Sequence, residues 1–570
     1  MSEKIKITVV IENEKLNNTV DDSKTGSVIV THDSSVTIMS TLLQNNLISG
    51  SFCGGRGDCG RCRIQFIQGE TFPTALERSV MDPEELRLGY RLACLARPKT
   101  DCTIKLALLD APKIAVVADM IDVTENIDYT SQKLKQSKKH TSDVMEAFSG
   151  IEAFVSGSEQ TGNKETSVMI AVDLGTTTIA MQLMEMDSGR IIDTYCEMNP
   201  QRRYGADVLS RIRASCEGNR EILQRLAVGV LERGVERFMG LNADIKCMCI
   251  AGNTTMEHLL MGYDVSSLGR SPFAPVEIGL QEYKHSDWDF TVWLTPGIST
   301  FVGGDIVAGL YACGMLNERL QRRPEEEEQQ RSVGQKESSF LVDLGTNGEM
   351  AICDGTRMIV TATAAGPAFE GGAGAGIVGS DMVACIAALL EQGILDETGL
   401  LTEPYFTEGV SIQAVDERHY RFASGRSGDS LYLTQQDIRN LQMAKAAVRA
   451  GIEVLFEKLN EQRQDKSQPD KSQTGGRQVE QVYLAGGFGY YLDVEAAFRI
   501  GLLPEHMRGS VRAVGNTSLM GAYRIGRDLW QHRTDKRALE RSIASAESIN
   551  LAVQEDFERR YIQYMSFPVY

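Results

Sequence analysis

One short pattern occurs twice in this chain: Val172-Asp173-Leu174-Gly175-Thr176-Thr177-Thr178 and Val342-Asp343-Leu344-Gly345-Thr346-Asn347-Gly348. Each copy is an apolar run that ends in Asp, then Gly, then hydroxyl or amide residues. Val168-Met169-Ile170-Ala171 precedes the first copy and Phe340-Leu341 the second, so each reads as a buried strand entering a tight turn. Glycine lets backbone N–H groups come close to an anion. Threonine hydroxyls add donors for phosphate oxygens, and aspartate can hold Mg²⁺ through water. A single copy could simply close a hairpin. Two copies point to two similar halves facing one phosphate-bearing ligand.

With 570 residues the chain has room for several domains, about four by length alone. A net charge of −18 and a pI near 5.1 argue against broad binding to nucleic acid or to anionic membranes. No apolar run reaches membrane-spanning length, and Met1 to Lys6 has no signal-peptide core. The expectation is a soluble cytoplasmic protein. Its twelve cysteines are then expected to be thiols or metal ligands and not disulfides.

Residues 1–110 open with an alternating strand at Lys4 to Ile11, a second β-branched run at Ser27 to Val30 and a helix over Ser40 to Ile48. Then come Cys53, Cys59 and Cys62 in a glycine-rich loop, and Cys94 much later. Three thiolates on one loop and one distant thiolate suit a [2Fe–2S] cluster. A structural zinc site is the alternative, but such sites usually bring two C-x2-C knuckles, and one is present here. The stretch resembles a ferredoxin domain. Plant-type ferredoxins place four residues between the first two cysteines. This chain has five, which is closer to the adrenodoxin-type variant. Cys102 lies in an expected strand, Cys102 to Leu106, and reads as a core residue.

Residues 111–167 read as a linker or small middle region ending in a polar tether. Its basic patch at Lys133, Lys135, Lys138 and Lys139 reads as a solvated helix face. The first half then spans 168–339, with an acidic, disordered-looking insertion at 322–339. It includes the polar stretch Asn199-Pro200-Gln201, a helix over Glu221 to Leu241, the strand Cys247 to Ile250 leading to Gly252-Asn253-Thr254-Thr255, and a small-residue helix after Gly303. In that helix Ala308, Gly309 and Ala312 allow close helix approach. The second half, 340–540, includes a helix over Gln442 to Leu459, a polar insertion at 461–478, the strand Val482 to Ala485 with its turn at Gly486 and Gly487, and a late helix opened by Gly515-Asn516-Thr517-Ser518. Residues 541–570 read as a tail.

The two halves resemble, in the order of their motifs, the acetate and sugar kinase, Hsp70 and actin superfamily, over roughly residues 168–540. The resemblance implies a duplicated ribonuclease H-like ATPase domain that clamps ATP between its halves, in an α/β multidomain chain with an N-terminal β-grasp ferredoxin-like domain. Asp173, Gly175 and Thr176 to Thr178 match the first phosphate motif. Asp343, Gly345, Thr346 and Asn347 match the second. Gly486 and Gly487 match the adenosine motif, and Asp305 matches a connecting motif that positions Mg²⁺ or water. Glu349 is close enough to the second turn to share that work, although it reads as an exposed strand carboxylate. Gly374 to Gly379 fits G-x-G-x-x-G, with Asp396 at a tempting distance, but a loop precedes it and a dinucleotide site needs a strand there. His258 reads as a core or helix-surface residue.

A [2Fe–2S] domain fused to such an ATPase resembles the reductive activators of corrinoid proteins, which recharge methyltransferase corrinoids in anaerobes. The stretches at Asn199, Gly252 and Gly515 look like family signatures. The resemblance implies that a low-potential donor, a ferredoxin or flavodoxin, reduces the cluster held by Cys53, Cys59, Cys62 and Cys94. One electron then passes to Co(II) in a corrinoid protein partner and restores Co(I). From a cluster near about −400 mV that step is uphill, roughly tenfold for each 59 mV of mismatch. ATP with Mg²⁺ would therefore have to bias a conformational equilibrium. A redox-gated small-molecule kinase, an ATP-dependent electron carrier for another low-potential enzyme and a non-catalytic binding module are the alternatives. A homodimer is one expected assembly.

Overall fold

The computed structural model describes residues 4–12, 25–34, 36–45, 47, 62–69, 71–81, 83–106, 167–241, 243–316, 338–345, 347–366, 369, 379–402, 419–421, 432–461 and 479–569. Cys53, Cys59, Thr346, the 111–166 region, the insertions at 322–337 and 462–478 and most of the Gly374 to Gly379 motif lie outside them.

The N-terminal sheet is built from β1 (Lys4–Glu12), β2 (Thr25–Asp33), β3 (Arg63–Gln68), β4 (Tyr90–Leu92) and β5 (Cys102–Leu106), in the order β2-β1-β5-β3-β4. Helix α1 (Ile38–Gln44) packs on it. Alternation along β1 turns Ile5, Ile7 and Val9 inward, to a core shared with Val30, Ile38, Leu42, Ile64 and Ile104. Cys102 is buried in β5, as a core residue should be.

The remainder contains two sheets of one topology. In the first, β8 (Ile191–Met198), β7 (Thr178–Glu185) and β6 (Val168–Leu174) form an antiparallel trio. Strands β9 (Ile245–Gly252) and β11 (Thr291–Leu294) continue it in parallel, and β10 (Gln281–Tyr283) closes the edge. In the second, β14 (Met358–Thr363), β13 (Gly348–Cys353) and β12 (Ser339–Leu344) repeat the trio. Strands β17 (Gln481–Ala485) and β18 (Val511–Gly515) repeat the parallel continuation. A small ribbon, β15 (His419–Arg421) with β16 (Tyr432–Thr434), stands apart. The duplication read from the two Asp-Leu-Gly-Thr turns is therefore a duplication of whole sheets.

Helices cover both faces of each sheet, which is why β6 and β12 read as nearly unbroken apolar runs. On β6, Val168, Ile170, Val172 and Leu174 face the first half's own core, with α2 (Val208–Ala214), α3 (Arg220–Met239) and α4 (Thr254–Met261). Met169 and Ala171 face the opposite way, into a core shared by both halves. That shared core holds α5 (Gly304–Ala312) and, later in the chain, α9 (Thr517–Trp530). Helix α9 follows the second sheet in sequence, yet it packs on β6 and β9 of the first. It crosses α5 so closely that a Cβ at Gly521 would overlap the Ala308 carbonyl oxygen.

The second half's own core is formed by α6 (Gly379–Glu391), α7 (Gln435–Glu461), α8 (Gly486–Tyr491) and the outward face of β12. The stretch expected as a tail is folded. Helix α10 (Lys536–Ala544) runs into it, β19 (Ala546–Ile549) adds to the sheet beside β14, and α11 (Phe557–Gln563) packs on α7. Phe567 is buried there, with Lys445 Nζ donating to the Tyr564 and Ser566 carbonyls at 2.6 Å each. Ile549, Leu551 and Phe567 of this stretch lie in the second half's core.

Candidate nucleotide and cluster sites

Period-two alternation decides where the two aspartates point. Asp173 shares the face of Met169 and Ala171, and Asp343 shares the face of Leu341, so both turn toward the core common to the two halves. Asp305, in the first turn of α5, lies between them electrostatically: it raises Asp343, and Asp173 raises it in turn. Burial pushes both Asp305 and Asp343 up to about 7, with neighbouring carboxylates adding to the effect. Glu349 pairs across the ladder with Asp343 and is buried, not exposed as its sequence context suggested. Burial holds it well above the usual carboxylate range, helped by Asp305 and Asp343 and opposed by a 3.2 Å hydrogen bond from Asn347. Glu257, on α4, is raised in the same way by burial and by Asp305. Asp305 is thus coupled electrostatically to each of the other four carboxylates, Asp173, Asp343, Glu349 and Glu257. Among the described residues no three His, Cys, Asp or Glu side chains converge closely enough to hold a metal ion directly.

The turn after Asp173 is clamped from below. Arg211, fully buried, donates to the Gly205 carbonyl at 3.0 Å, to Gln201 Oε1 at 3.2 Å and to the Thr176 carbonyl. Asn199 donates its side-chain amide to the Gly175 carbonyl at 2.9 Å and its backbone N–H to the Thr177 carbonyl at 2.8 Å. Asn253, the N-cap of α4, donates to Thr176 Oγ1 at 3.0 Å, which leaves that hydroxyl's own proton available to another acceptor. From the far half, Asn516 Nδ2 donates to Asp173 at 2.7 Å and Ser518 Oγ at 3.1 Å. Burial raises Asp173, and these two bonds oppose the rise.

The second turn is plainer. Gly345 N–H closes it on the Asn347 carbonyl at 2.9 Å. Gly486 follows β17 with φ of 86°, and a Cβ there would lie 2.6 Å from Asp343 Oδ1. Only glycine meets both conditions, so the Gly486 turn abuts the turn that follows Asp343. Gly487 follows it in α8.

In the N-terminal domain, the pairing of β3 with β4 sets Arg63 opposite Leu92, so the residues flanking that pair meet. Ala93 N–H bonds the Cys62 carbonyl at 2.8 Å, and the Cys62 and Cys94 sulfurs lie 3.2 Å apart. Two thiols this close fit shared ligation of one iron.

Glu257, Asn516, Ser518 and the supporting role of Arg211 are absent from the expected site. For Asn516 and Ser518 a signal existed: a polar stretch directly after an apolar strand. Arg211 gave none, since an arginine on an amphipathic helix normally faces water. His258 is a core residue: it bonds the Thr254 carbonyl through Nδ1 at 2.7 Å and accepts from Val276 N–H through Nε2 at 3.0 Å. Asp396 caps its own turn, accepting from Thr398 and Leu400 N–H groups at 2.9 Å, and Gly379 begins a helix.

Fold and site together define an iron–sulfur protein fused to an ATPase of the ASKHA class. Family models match three stretches that together make up most of the chain. A 2Fe-2S iron-sulfur cluster binding domain matches residues 20–99, the RACo middle region matches 168–318, and the C-terminal domain of RACo, the ASKHA domain, matches 337–375 and 373–570. The chain belongs to the reductive activators of corrinoid proteins that these models describe. It is 26% identical over 550 residues to a corrinoid activation enzyme, RamQ, of Eubacterium limosum, covering 82% of this chain and 86% of that one. It is 22% identical over 447 residues to the [Co(II) methylated amine-specific corrinoid protein] reductase of Methanosarcina barkeri, covering 70% and 76%. A solved structure of a reductive activator for corrinoid, iron–sulfur protein superposes over 98% of both chains with a TM-score of 0.57 at 21% identity, which supports the fold. Among the described residues no helix is long and apolar enough to cross a membrane.

Proposed function

We propose that this protein is an ATP-dependent reductive activator that returns the cobalt of a corrinoid protein from Co(II) to Co(I). The observation that carries this reading is the joint presence, along one chain, of a ferredoxin-type domain and both RACo-type domains. A [2Fe–2S] cluster would supply electrons singly, and ATP with Mg²⁺ the free energy to favour one arrangement of the halves. Cys62 and Cys94, with Cys53 and Cys59, would hold the cluster. Gly175 to Thr178 and Gly345 to Asn347 would grip the phosphates. Asp173 and Asp343 would orient the hydrated cation from either side, and Asp305 would position water. Glu349, raised by burial and by Asp305 and Asp343, would line the site beside the second turn.

ATP can drive an uphill electron transfer only by being bound differently in two states of the molecule. The halves share one core, so closure on the nucleotide is transmitted through α5 and α9. A closed form that grips the Co(II) corrinoid protein more tightly would alter the cobalt's surroundings and ease its reduction. We expect a low-potential ferredoxin or flavodoxin as donor, a homodimer and a cytoplasmic location.

The test is anaerobic purification, an absorption spectrum for the cluster, and reduction of a panel of Co(II) corrinoid proteins with and without ATP. Reduction should require ATP and be lost with Cys59→Ala. Equal reduction without ATP would sink the proposal. A phosphorylated small molecule would mark a kinase instead.

A further inference from the structure

The chain leaves the second sheet at Gly515, whose φ is 74°, and enters α9, which lies on the first sheet. Asn516 and Ser518 stand at that junction. Asn516 is the N-cap: its Oδ1 accepts from Leu519 N–H at 2.8 Å, so its Nδ2 must point away from the helix. It points at Asp173, 343 residues earlier in sequence. Ser518 reaches the other oxygen of the same carboxylate. Downstream, α9 is seated on the first half by Tyr523 Oη, which donates to the Met186 carbonyl at 3.0 Å, and by the close crossing at Gly521. Any shift of the second sheet against the first therefore acts on the start of α9, where this pair holds Asp173.

We propose that Asn516 and Ser518 are positioning residues for ATP turnover, orienting the Asp173 carboxylate from the opposite half so that the first phosphate turn is competent only while α9 is seated on β6. The proposal rests on the ATP-hydrolysing part of the function above and on nothing about the corrinoid partner. It makes the pair a latch: nucleotide at the first turn and the setting of the second half become one equilibrium, because moving α9 releases Asp173. A carboxylate free to rotate loses its alignment toward the reacting phosphate, whereas the backbone N–H groups that bind the phosphates are unaffected.

The experiment is steady-state Mg²⁺–ATP hydrolysis by the full chain and by Asn516→Asp, Ser518→Ala and Ser518→Thr. Asn516→Asp keeps the helix cap, since Asp and Asn cap equally well, but sets a carboxylate against Asp173. The expected result is a fall in kcat on the order of tenfold or more for Asn516→Asp and several-fold for Ser518→Ala, with KM for ATP changing less than about threefold. Ser518→Thr, which keeps the hydroxyl, should restore kcat to within about twofold. Unchanged kcat, or a loss that merely follows the folded fraction seen by circular dichroism and urea denaturation, would overturn the proposal. If the wild-type chain hydrolyses ATP but reduces no corrinoid protein, the functional reading fails, and the latch still stands or falls on these hydrolysis data.

Discussion

The two Asp-Leu-Gly-Thr turns carry nearly the same residues and live in different surroundings. Asp173 receives two hydrogen bonds from the opposite half, and the carbonyls of its turn are tied down by Asn199 and Arg211. Asp343 has burial and the nearby Asp305 and Asp173 acting on it, and among the described residues no hydrogen bond opposes them. The first turn is thus held by groups from both halves, whereas the second is closed by its own backbone, Gly345 N–H on the Asn347 carbonyl. Each half is also pinned by one fully buried cation. In the first it is Arg211. Lys445 in the second is lowered by burial to about 7.

The largest expected effects test whether both turns are needed. Asp173→Ala and Asp343→Ala should each lower ATP-dependent Co(II) reduction by about a hundredfold or more, the scale of losing a preorganised charge in an active site. If one of them leaves the rate intact, ligand binds to a single half and the pairing of the turns is wrong. Next, Arg211→Met should destabilise the first half by about 3 kcal/mol, measured by urea denaturation, because the Gly205 and Thr176 carbonyls lose a buried donor. A neutral result would mean that the clamp below the first turn is not what shapes it.

Gly521→Ala should destabilise by about 1–3 kcal/mol by forcing α9 away from α5, and ATP hydrolysis should fall with it if the first turn is set through α9. The smallest effect concerns pH. The folded-state pKa of Lys445 is depressed, so between about 7 and its ordinary 10.5 the unfolded chain binds more protons. Stability contributed by this site therefore rises with pH across that window. Unfolding midpoints followed from pH 7 to 10 should show a rising component that Lys445→Met removes and Arg211→Met does not.

Much of the site was legible in the sequence because it is local. Asp, Gly and hydroxyl residues after an apolar strand can form a phosphate turn from a few consecutive residues, and a repeat of that turn implies a repeated fold. The cysteine spacing is local in the same sense for three of its four members. Less legible was burial. Glu349 looked exposed because strand alternation alone cannot tell that both faces of a sheet are covered, and 541–570 looked like a tail because two or three apolar anchors are too sparse to register as a pattern.

What the sequence by itself determined is the set of parts: cysteines in a ferredoxin-type domain, two Asp-Leu-Gly-Thr turns, a glycine turn after a later strand, and a duplicated α/β body to carry them. What only the tertiary structure decided is which of these groups answer to one another. Helix α9 belongs to the second half by sequence and to the first by packing, so Asn516 and Ser518 meet Asp173 across 343 and 345 residues of chain. Arg211 turns inward because the backbone of a tight turn leaves carbonyls that need a donor. Such contacts arise from how two sheets share one core, and no short window of sequence contains both partners.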